Sequence, residues 1–193
     1  MNKPLLVATV AALAIGALAE DTMSNKEIVG TFLGAVLQGD VETMREVANP
    51  DYIQHNPFIP TGLEPFIEML PVLQEAGTTA ENIRMFEDGN YVFMHNIWRN
   101  AAPFGADTMV SFDIIRVDEN GRVAEHWDAL QPLVTETASG RTQTDGPTEV
   151  TDLDQTEANK ALAVALVQDV LMGRDPARIT DYISAESYAQ HNP

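Results

Sequence analysis

The chain has 193 residues, no cysteine and a formal net charge of −18. Length allows one or two domains, and an apolar share of 45% is ordinary for a globular chain. A surface this acidic repels phosphate backbones and anionic lipid, so neither a nucleic acid nor a membrane surface is an expected partner. Without cysteine the core must hold by packing, with no disulfide to help.

The chain opens with Met1-Asn2-Lys3, a short segment with one positive charge, and Pro4 to Gly16 is almost wholly apolar. Ala17-Leu18-Ala19 fits a small-x-small cleavage pattern, and Glu20 and Asp21 follow. This predicts a secretory signal peptide over residues 1–19, and a periplasmic or secreted chain with no membrane contact after cleavage. The competing reading is a membrane anchor, but the apolar stretch is short of the roughly 20 residues a span needs.

Ser24 and Glu27 form a capping-box pattern. Ile28, Phe32, Leu33, Val36 and Leu37 then recur at helical spacing until Gly39-Asp40 stops the helix. A second short helix is expected over Val41 to Val47. The Asn-Pro pairs at Asn49-Pro50 and Asn56-Pro57 mark turns on either side of Tyr52 to His55. Gly62 to Ala76 reads as a third helix, which Pro71 should kink or split.

The period then changes to two. Ala80 to Glu87, Asn90 to Ala101, Asp107 to Asp118 and Arg122 to Leu130 read as strands, joined by hairpin turns at Asp88-Gly89-Asn90 and Glu119-Asn120-Gly121. Three helices followed by an antiparallel meander predict an α+β domain with helices on one face of a sheet. Residues 135–158 lead on as a linker, its first part rich in Thr, Gly, Asp and Ser.

After the linker the chain repeats itself. Asn25-Lys26 opens a helix whose unit ends in Tyr52-Ile53-Gln54-His55-Asn56-Pro57. Asn159-Lys160 opens another, and that unit ends in Tyr188-Ala189-Gln190-His191-Asn192-Pro193. A self-match at this period indicates a duplicated unit. Residues 24–134 would then be one domain and residues 159–193 the start of a second, incomplete copy. The alternative is a tail that packs on the first domain or on a partner chain.

Two motifs carry a resemblance. Tyr52-Ile53-Gln54-His55-Asn56-Pro57 followed by Gly62 is one. Phe112-Asp113-Ile114-Ile115-Arg116-Val117, leading through Gly121 to Glu125-His126-Trp127-Asp128, is the other. Together they resemble the SnoaL-like family of the NTF2-like superfamily, nearest to the branch described as aldol-condensation enzymes. The resemblance covers about residues 24–132. It implies a cone, with N-terminal helices packed on a curved antiparallel sheet around a pocket for a small apolar molecule, and sheets that commonly pair into dimers. The superfamily holds polyketide cyclases, ketosteroid isomerases, dehydratases, epoxide hydrolases and non-catalytic binders, so the fold does not fix the activity. In the cyclases a catalytic aspartate follows the Glu-His-Trp-like segment by a few residues. Here that spacing falls on Gln131, which cannot shuttle a proton, and Asp128 is the nearest carboxylate.

Strand alternation sorts the remaining candidates. Tyr91, Phe93, His95 and Ile97 share one face, opposed by Val92, Met94, Asn96 and Trp98. Both sets are largely apolar, so this strand is expected to be buried on both sides. Ser111, Asp113 and Ile115 oppose Phe112, Ile114 and Arg116; Ala124, His126 and Asp128 oppose Val123, Glu125 and Trp127. Imidazole titrates near neutrality, and a carboxylate beside it orients the ring. His55, His95 and His126 are therefore the candidate catalytic groups, directed into the pocket, with Asp128 or Asp113 orienting one of them. Tyr52, Trp98 and Trp127 are candidate aromatic walls, and Asp113 and Gln131 complete the expected substrate-binding set. The plainer reading is structural for each: a histidine that satisfies a turn, an aromatic that fills the core. Arg116 and Glu125 are expected to pair across adjacent strands as a structural ion pair.

No pair of histidines has helical ligand spacing, and there is no Gly-rich phosphate loop or Gly-x-Ser-x-Gly elbow. Neither a metal nor a cofactor is expected. Three functions remain open: cofactor-free acid/base catalysis on a small carbonyl compound, sequestration of an apolar ligand without turnover, and pairing with a second copy as a homodimer or within one chain.

Overall fold

The structure is a computed structural model that describes residues 23–193. The expected signal peptide lies outside the described residues. The elements run α1 (Asn25–Gln38), α2 (Val41–Val47), β1 (Ala48–Gln54), α3 (Leu63–Ile67), α4 (Leu70–Ala76), β2 (Thr79–Asp88), β3 (Tyr91–Arg99), β4 (Thr108–Val117), β5 (Val123–Pro132), α5 (Thr156–Leu166) and α6 (Ile179–Tyr182).

The capping box forms as its sequence predicts. The Ser24 hydroxyl accepts from the Glu27 backbone N–H, and the Ser24 N–H donates to the Glu27 carboxylate at 2.7 Å. Gly39, with φ of 68°, ends α1 in the left-handed region that favours glycine. Pro71 splits the third expected helix into α3 and α4 and sits in the first turn of α4, where its missing N–H has no helical partner to lose.

The five strands form one sheet in the order β1-β5-β4-β3-β2. Strands β2 to β5 are an antiparallel meander, and β1 pairs with β5 in parallel, so the sheet is mixed. The segment around Tyr52, given no element in the sequence reading, is therefore a fifth, edge strand. Pro50 is tolerated there because an edge strand need not donate on its outer side, and the register of β1 on β5 shifts between Ala48 and Ile53.

Helices α1, α3 and α4 cover the concave face. Phe32, Tyr52 and Phe66 form a ring cluster with centroids 5.8–6.2 Å apart, packed with Val29, Val36, Met44, Leu70, Val92, Met94, Ile115 and Val123. Burying each such side chain contributes about 1.5–3 kcal/mol. The N-terminus of α1 is tied to the β2–β3 hairpin by Asn25 Nδ2, which donates to the Gly89 carbonyl, and by the Lys26 N–H, which donates to Glu87.

Beyond β5 the chain crosses the outer, convex face of the sheet. The Arg84 guanidinium donates to the carbonyls of Asp145, Gly146 and Pro147 at 2.7–3.1 Å, fastening residues 142–147 over β2 and β3 as a strap. His191 clasps the same strap through Asp145 at 2.6 Å and the Thr142 carbonyl at 2.9 Å. This cover explains why β3 is apolar on both sides. Helix α5 and the π-helical turn after it (Val167–Leu171) contain no buried residue. No helix among the described residues is long and apolar enough to cross a membrane.

Candidate active site

The register fixes which candidates meet. Asp113 on β4 lies opposite Asp128 on β5, and Ile115 lies opposite His126, with all four on the concave face. The register shift in this strand pair falls at Arg116/Val117, outside the stretch that carries them. His126 Nε2 is 3.1 Å from Asp113 Oδ1; the two side chains are 13% and 5% exposed.

A directed set of hydrogen bonds holds this pair. Trp98 Nε1–H donates to the Ser111 hydroxyl at 2.9 Å, and Ser111 donates to Asp113 Oδ2 at 2.5 Å. Asn96 Nδ2 donates to the same Oδ2 at 2.8 Å, its own oxygen taken by Asn82 Nδ2. Asn82 also donates to the Arg84 carbonyl, which fixes that amide's direction. On the other side of the imidazole, His126 Nδ1 faces Gln54 Oε1 at 3.1 Å. The Asn56 backbone N–H donates to that same oxygen at 2.9 Å, and Gln54 Nε2 donates to the Tyr52 hydroxyl at 3.2 Å. Asn56 Nδ2 donates to Asp128 Oδ2 at 2.7 Å.

The pair lines one space, and Asp128 lines another. Inside is a small apolar hollow of about 50 Å³, lined by Phe32, Val36, Tyr52, Phe66, Met94 and Trp98 together with Asp113 and His126. Outside is a cleft of about 410 Å³, lined by Asn56, Pro57, Phe58, Phe104, Met109, Asp128 and Leu130. Burial pushes the Asp128 carboxyl above its ordinary range, and the Asn56 hydrogen bond and the nearby His126 offset this only in part. Burial also drives the Tyr52 phenol far up, so it stays neutral. A carboxylate of raised basicity, an imidazole and a buried counter-charge beside an apolar hollow form an arrangement suited to moving a proton. Ligand atoms of Asp113, His126 and Asp128 also lie within 4.8 Å of one another, a spacing a divalent cation can bridge. No sequence spacing announces that group, because it comes from two strands.

Of the nine residues expected to build the site, five converge on the concave side: Tyr52, Trp98, Asp113, His126 and Asp128. The expectation that all three histidines enter the pocket is corrected. His55 follows β1 on its outward register, stacks flat on Trp127 at 4.9 Å and bonds Glu125 at 2.9 Å. Trp127 and Gln131 also point outward, opposite Ile114 and Val110. His95 lies under the strap against Phe112, with ring centroids 4.3 Å apart, and its Nδ1 meets Arg84 at 3.0 Å. Burial and the Arg84 charge hold the His95 imidazole below its usual range. Arg116 and Glu125 pair at 2.9 Å, as their register predicts.

Four polar residues that serve the site are absent from the sequence-based set: Gln54, Asn56, Asn96 and Ser111. Their signal was available as polar side chains on strand faces otherwise made of core residues. Gln54 and Asn56 alternate with outward-facing Ile53 and His55, and Asn96 sits between Met94 and Trp98.

Similar solved structures include wild-type IdmH of Streptomyces antibioticus, a candidate polyketide cyclase. It is 21% identical, with a TM-score of 0.46 over 56% of this chain and 92% of that one. An NTF2-like protein of unknown function from Cytophaga hutchinsonii is 14% identical, with a TM-score of 0.49 over 58% of this chain and 95% of that one. An LEH-like epoxide hydrolase of M. tuberculosis is 18% identical, with a TM-score of 0.45 over 55% of this chain and 82% of that one. No curated protein matches the chain by sequence. The sequence profile of the SnoaL-like domain matches residues 29–126, just over half of the chain. That stretch runs from α1 to His126, taking in the helical cover, β1 to β4 and the start of β5, so this chain belongs to the SnoaL-like domain family.

Proposed function

We propose that this protein takes a small, largely apolar carbonyl compound into its cone and moves a proton on it without a cofactor. Aldol-type cyclisation, isomerisation and dehydration are the reaction classes that such a site serves. The observation that carries this reading is the buried His126–Asp113 pair on an apolar hollow, beside Asp128, which lines a larger cleft. In such a low-dielectric setting fixed charges act strongly on a developing enolate. His126 and Asp128 handle the proton, Asp113 orients the imidazole, and Tyr52 and Trp98 shape the wall.

The test needs no knowledge of the natural substrate. A panel of small ketones and aldehydes is incubated with the protein in heavy water, and deuterium uptake at the carbon beside the carbonyl is read by mass spectrometry. His126→Gln and Asp128→Asn are expected to lower uptake by about 10²–10⁴-fold, the usual contribution of a general acid or base. His55→Gln, on the outer face, is expected to leave it unchanged. Uptake that is equal in all four proteins removes the catalytic reading, and retention of a ligand without uptake makes this a binding module.

A second reading concerns assembly. Phe86, Tyr91, Phe112 and Ile114 stand 43–49% exposed on the outer face, and all but Phe112 line an apolar depression with Phe93 and Trp127. This supports pairing of two sheets, as a homodimer or with a second copy that begins at residues 159–193. Ultracentrifugation of the wild type and of Ile114→Asp tests it: the first is expected to sediment as a pair, the second as a monomer. The leader-like residues 1–19 support export to the periplasm or the medium, and N-terminal sequencing of the mature protein is expected to begin at Glu20.

A further inference from the structure

Beneath the strap, one row of residues crosses the outer face: Arg84 on β2 lies opposite His95 on β3, and His95 opposite Phe112 on β4. His95 is 4% exposed, yet it lies on the other face of the sheet from the candidate active site. Its only hydrogen bond among the described residues is to Arg84. That partner dictates its protonation. A guanidinium only donates, so Arg84 Nη1, at 3.0 Å, makes His95 Nδ1 an acceptor. The neutral ring then carries its hydrogen on Nε2, which is buried and has no partner among the described residues. A second proton can go only to Nδ1, where it would meet an N–H of a permanent cation. The ring and Arg84 must then separate. The same guanidinium holds the strap. Its Nε donates to the Pro147 carbonyl at 2.9 Å, and its Nη2 to those of Asp145 and Gly146 at 2.7 and 3.1 Å. Gly146 has φ of 93°, and a Cβ there would stand 3.5 Å from Arg84 Nη2, so the chain is shaped for this close approach.

We propose that Arg84, His95 and the strap form an acid-released latch: a proton on His95 drives Arg84 off the ring and frees residues 142–147 from the sheet. The C-terminal segment leaves with the strap, because its anchors are there. Ser139 donates to the Gln190 carbonyl at 2.6 Å, and His191 meets Thr142 and Asp145. Release bares His95 and Phe112 and uncouples everything beyond the strap from the sheet. The charged groups around the ring are Arg84 from β2, Asp113 on the far side of β4, Asp145 from the strap with Arg141 just before it, and His191 from the C-terminal segment. Burial and Arg84 oppose a proton on the ring, Asp113 favours one, and the balance holds the imidazole below its ordinary 6.5. Once released, the ring regains its ordinary affinity for protons. Acid therefore favours the open state, and the latch is shut above pH 6.5.

Trypsin cleavage after Arg141, at the head of the strap, tests this in the full chain, because a protease needs its segment locally freed. Wild type and His95→Gln are compared at equal pH, in steps from 7.5 to 5.0, with fragments read by mass spectrometry. Gln keeps an oxygen for Arg84 and does not titrate. The ratio of wild-type to variant cleavage rate is expected to be constant above pH 6.5 and to rise below it, by up to about tenfold per pH unit. Arg84→Gln, which lacks the fork, is expected to be cut fast at every pH. Nitrogen-15 NMR of histidine-labelled chain at pH 7.5 is expected to show a pyridine-like Nδ1 and a pyrrole-like Nε2 for His95, assigned by their loss in His95→Gln. A ratio that stays constant down to pH 5.0 overturns the proposal. So does an Arg84→Gln chain cut as slowly as the wild type, or a protonated Nδ1 at pH 7.5. Cleavage after Arg99, at the end of β3, is the control: if it rises in step with cleavage after Arg141, the sheet itself is opening and the latch is refuted. Neither turnover nor pairing of chains enters the readout.

Discussion

Replacing Asp113 tests whether the buried network is as directed as its geometry implies. The Asp113 side chain is 5% exposed and accepts from Ser111, Asn96 and His126. In Asp113→Leu all three donors lose their acceptor at once. A stranded buried donor costs about 1–3 kcal/mol, and removing one partner of a buried ion pair costs about 3–5 kcal/mol. Two stranded neutral donors and one orphaned imidazole together approach the roughly 5–15 kcal/mol that holds a domain together. Asp113→Leu should therefore be barely folded. Asp113→Asn differs in one respect only. Its oxygen still receives Ser111 and Asn96, and its NH₂ turns towards His126 Nε2. The loss is the difference between a charge-assisted and a neutral hydrogen bond, about 1–2 kcal/mol, or a fall in Tm of about 2–8 °C for a chain of this size. Urea denaturation followed by tryptophan fluorescence suits the test, because Trp98 donates into the network through Ser111. If Asp113→Leu unfolds within 1 kcal/mol of the wild type with the same denaturant slope, the network does not hold the fold and the argument fails.

Asp128 gives a pH-dependent prediction. Its folded pKa is raised by burial, so the native state binds its proton more tightly than the unfolded chain does, and this contribution to stability is lost as pH rises above 3.8. Asp128→Asn keeps an oxygen for Asn56 and should have a higher Tm than the wild type at pH 7; the gap should narrow as pH falls towards 3.8. A constant gap would contradict the burial argument. His95 has the opposite sign: its folded pKa is depressed below the ordinary 6.5, so stability present above that value is lost as pH falls. Urea titrations at pH 7.5 and 5.5 should show the wild type losing more stability on acidification than His95→Gln; equal losses would sink this assignment. At the start of α1, Ser24→Ala removes the capping box and should cost about 0.5–2 kcal/mol, which thermal melts will read.

The helices and the meander were legible because periodicity reports burial on one side, and here one side is enough. Strand β1 was not. Its inward residues are Tyr52 and Gln54 and its outward one is Ile53, so polarity runs against the usual sign, and the flanking Asn-Pro pairs speak for a turn. The site was half legible for a related reason. Alternation had already placed Asp113 with Ser111 and His126 with Asp128, which is correct. What it lacked was the knowledge of which face is the inside, since the strap from residues 142–147 makes the outer face of β3 nearly as apolar as the inner one. His95 was drawn into the candidate set by that second burial, and His55 by its motif. Gln54 and Asn56 become visible only once β1 is known to run beside β5.

The parallel pairing of β1 with β5 has a consequence for how the molecule comes into being. It joins Gln54 to His126 and Asn56 to Asp128 across 72 positions of chain. Bringing such distant segments together carries a loop-closure cost before any contact rewards it, and topologies of this kind fold slowly. During synthesis the helices α1 to α4 and β1 emerge long before β5, the strand that completes the candidate site. Until residue 128 is docked, the greasy inner surface stands open and the amides of Gln54 and Asn56 have only water to bind. The His126–Asp128 side of the site is thus completed late, and the interval before it is when the protein is most exposed to self-association.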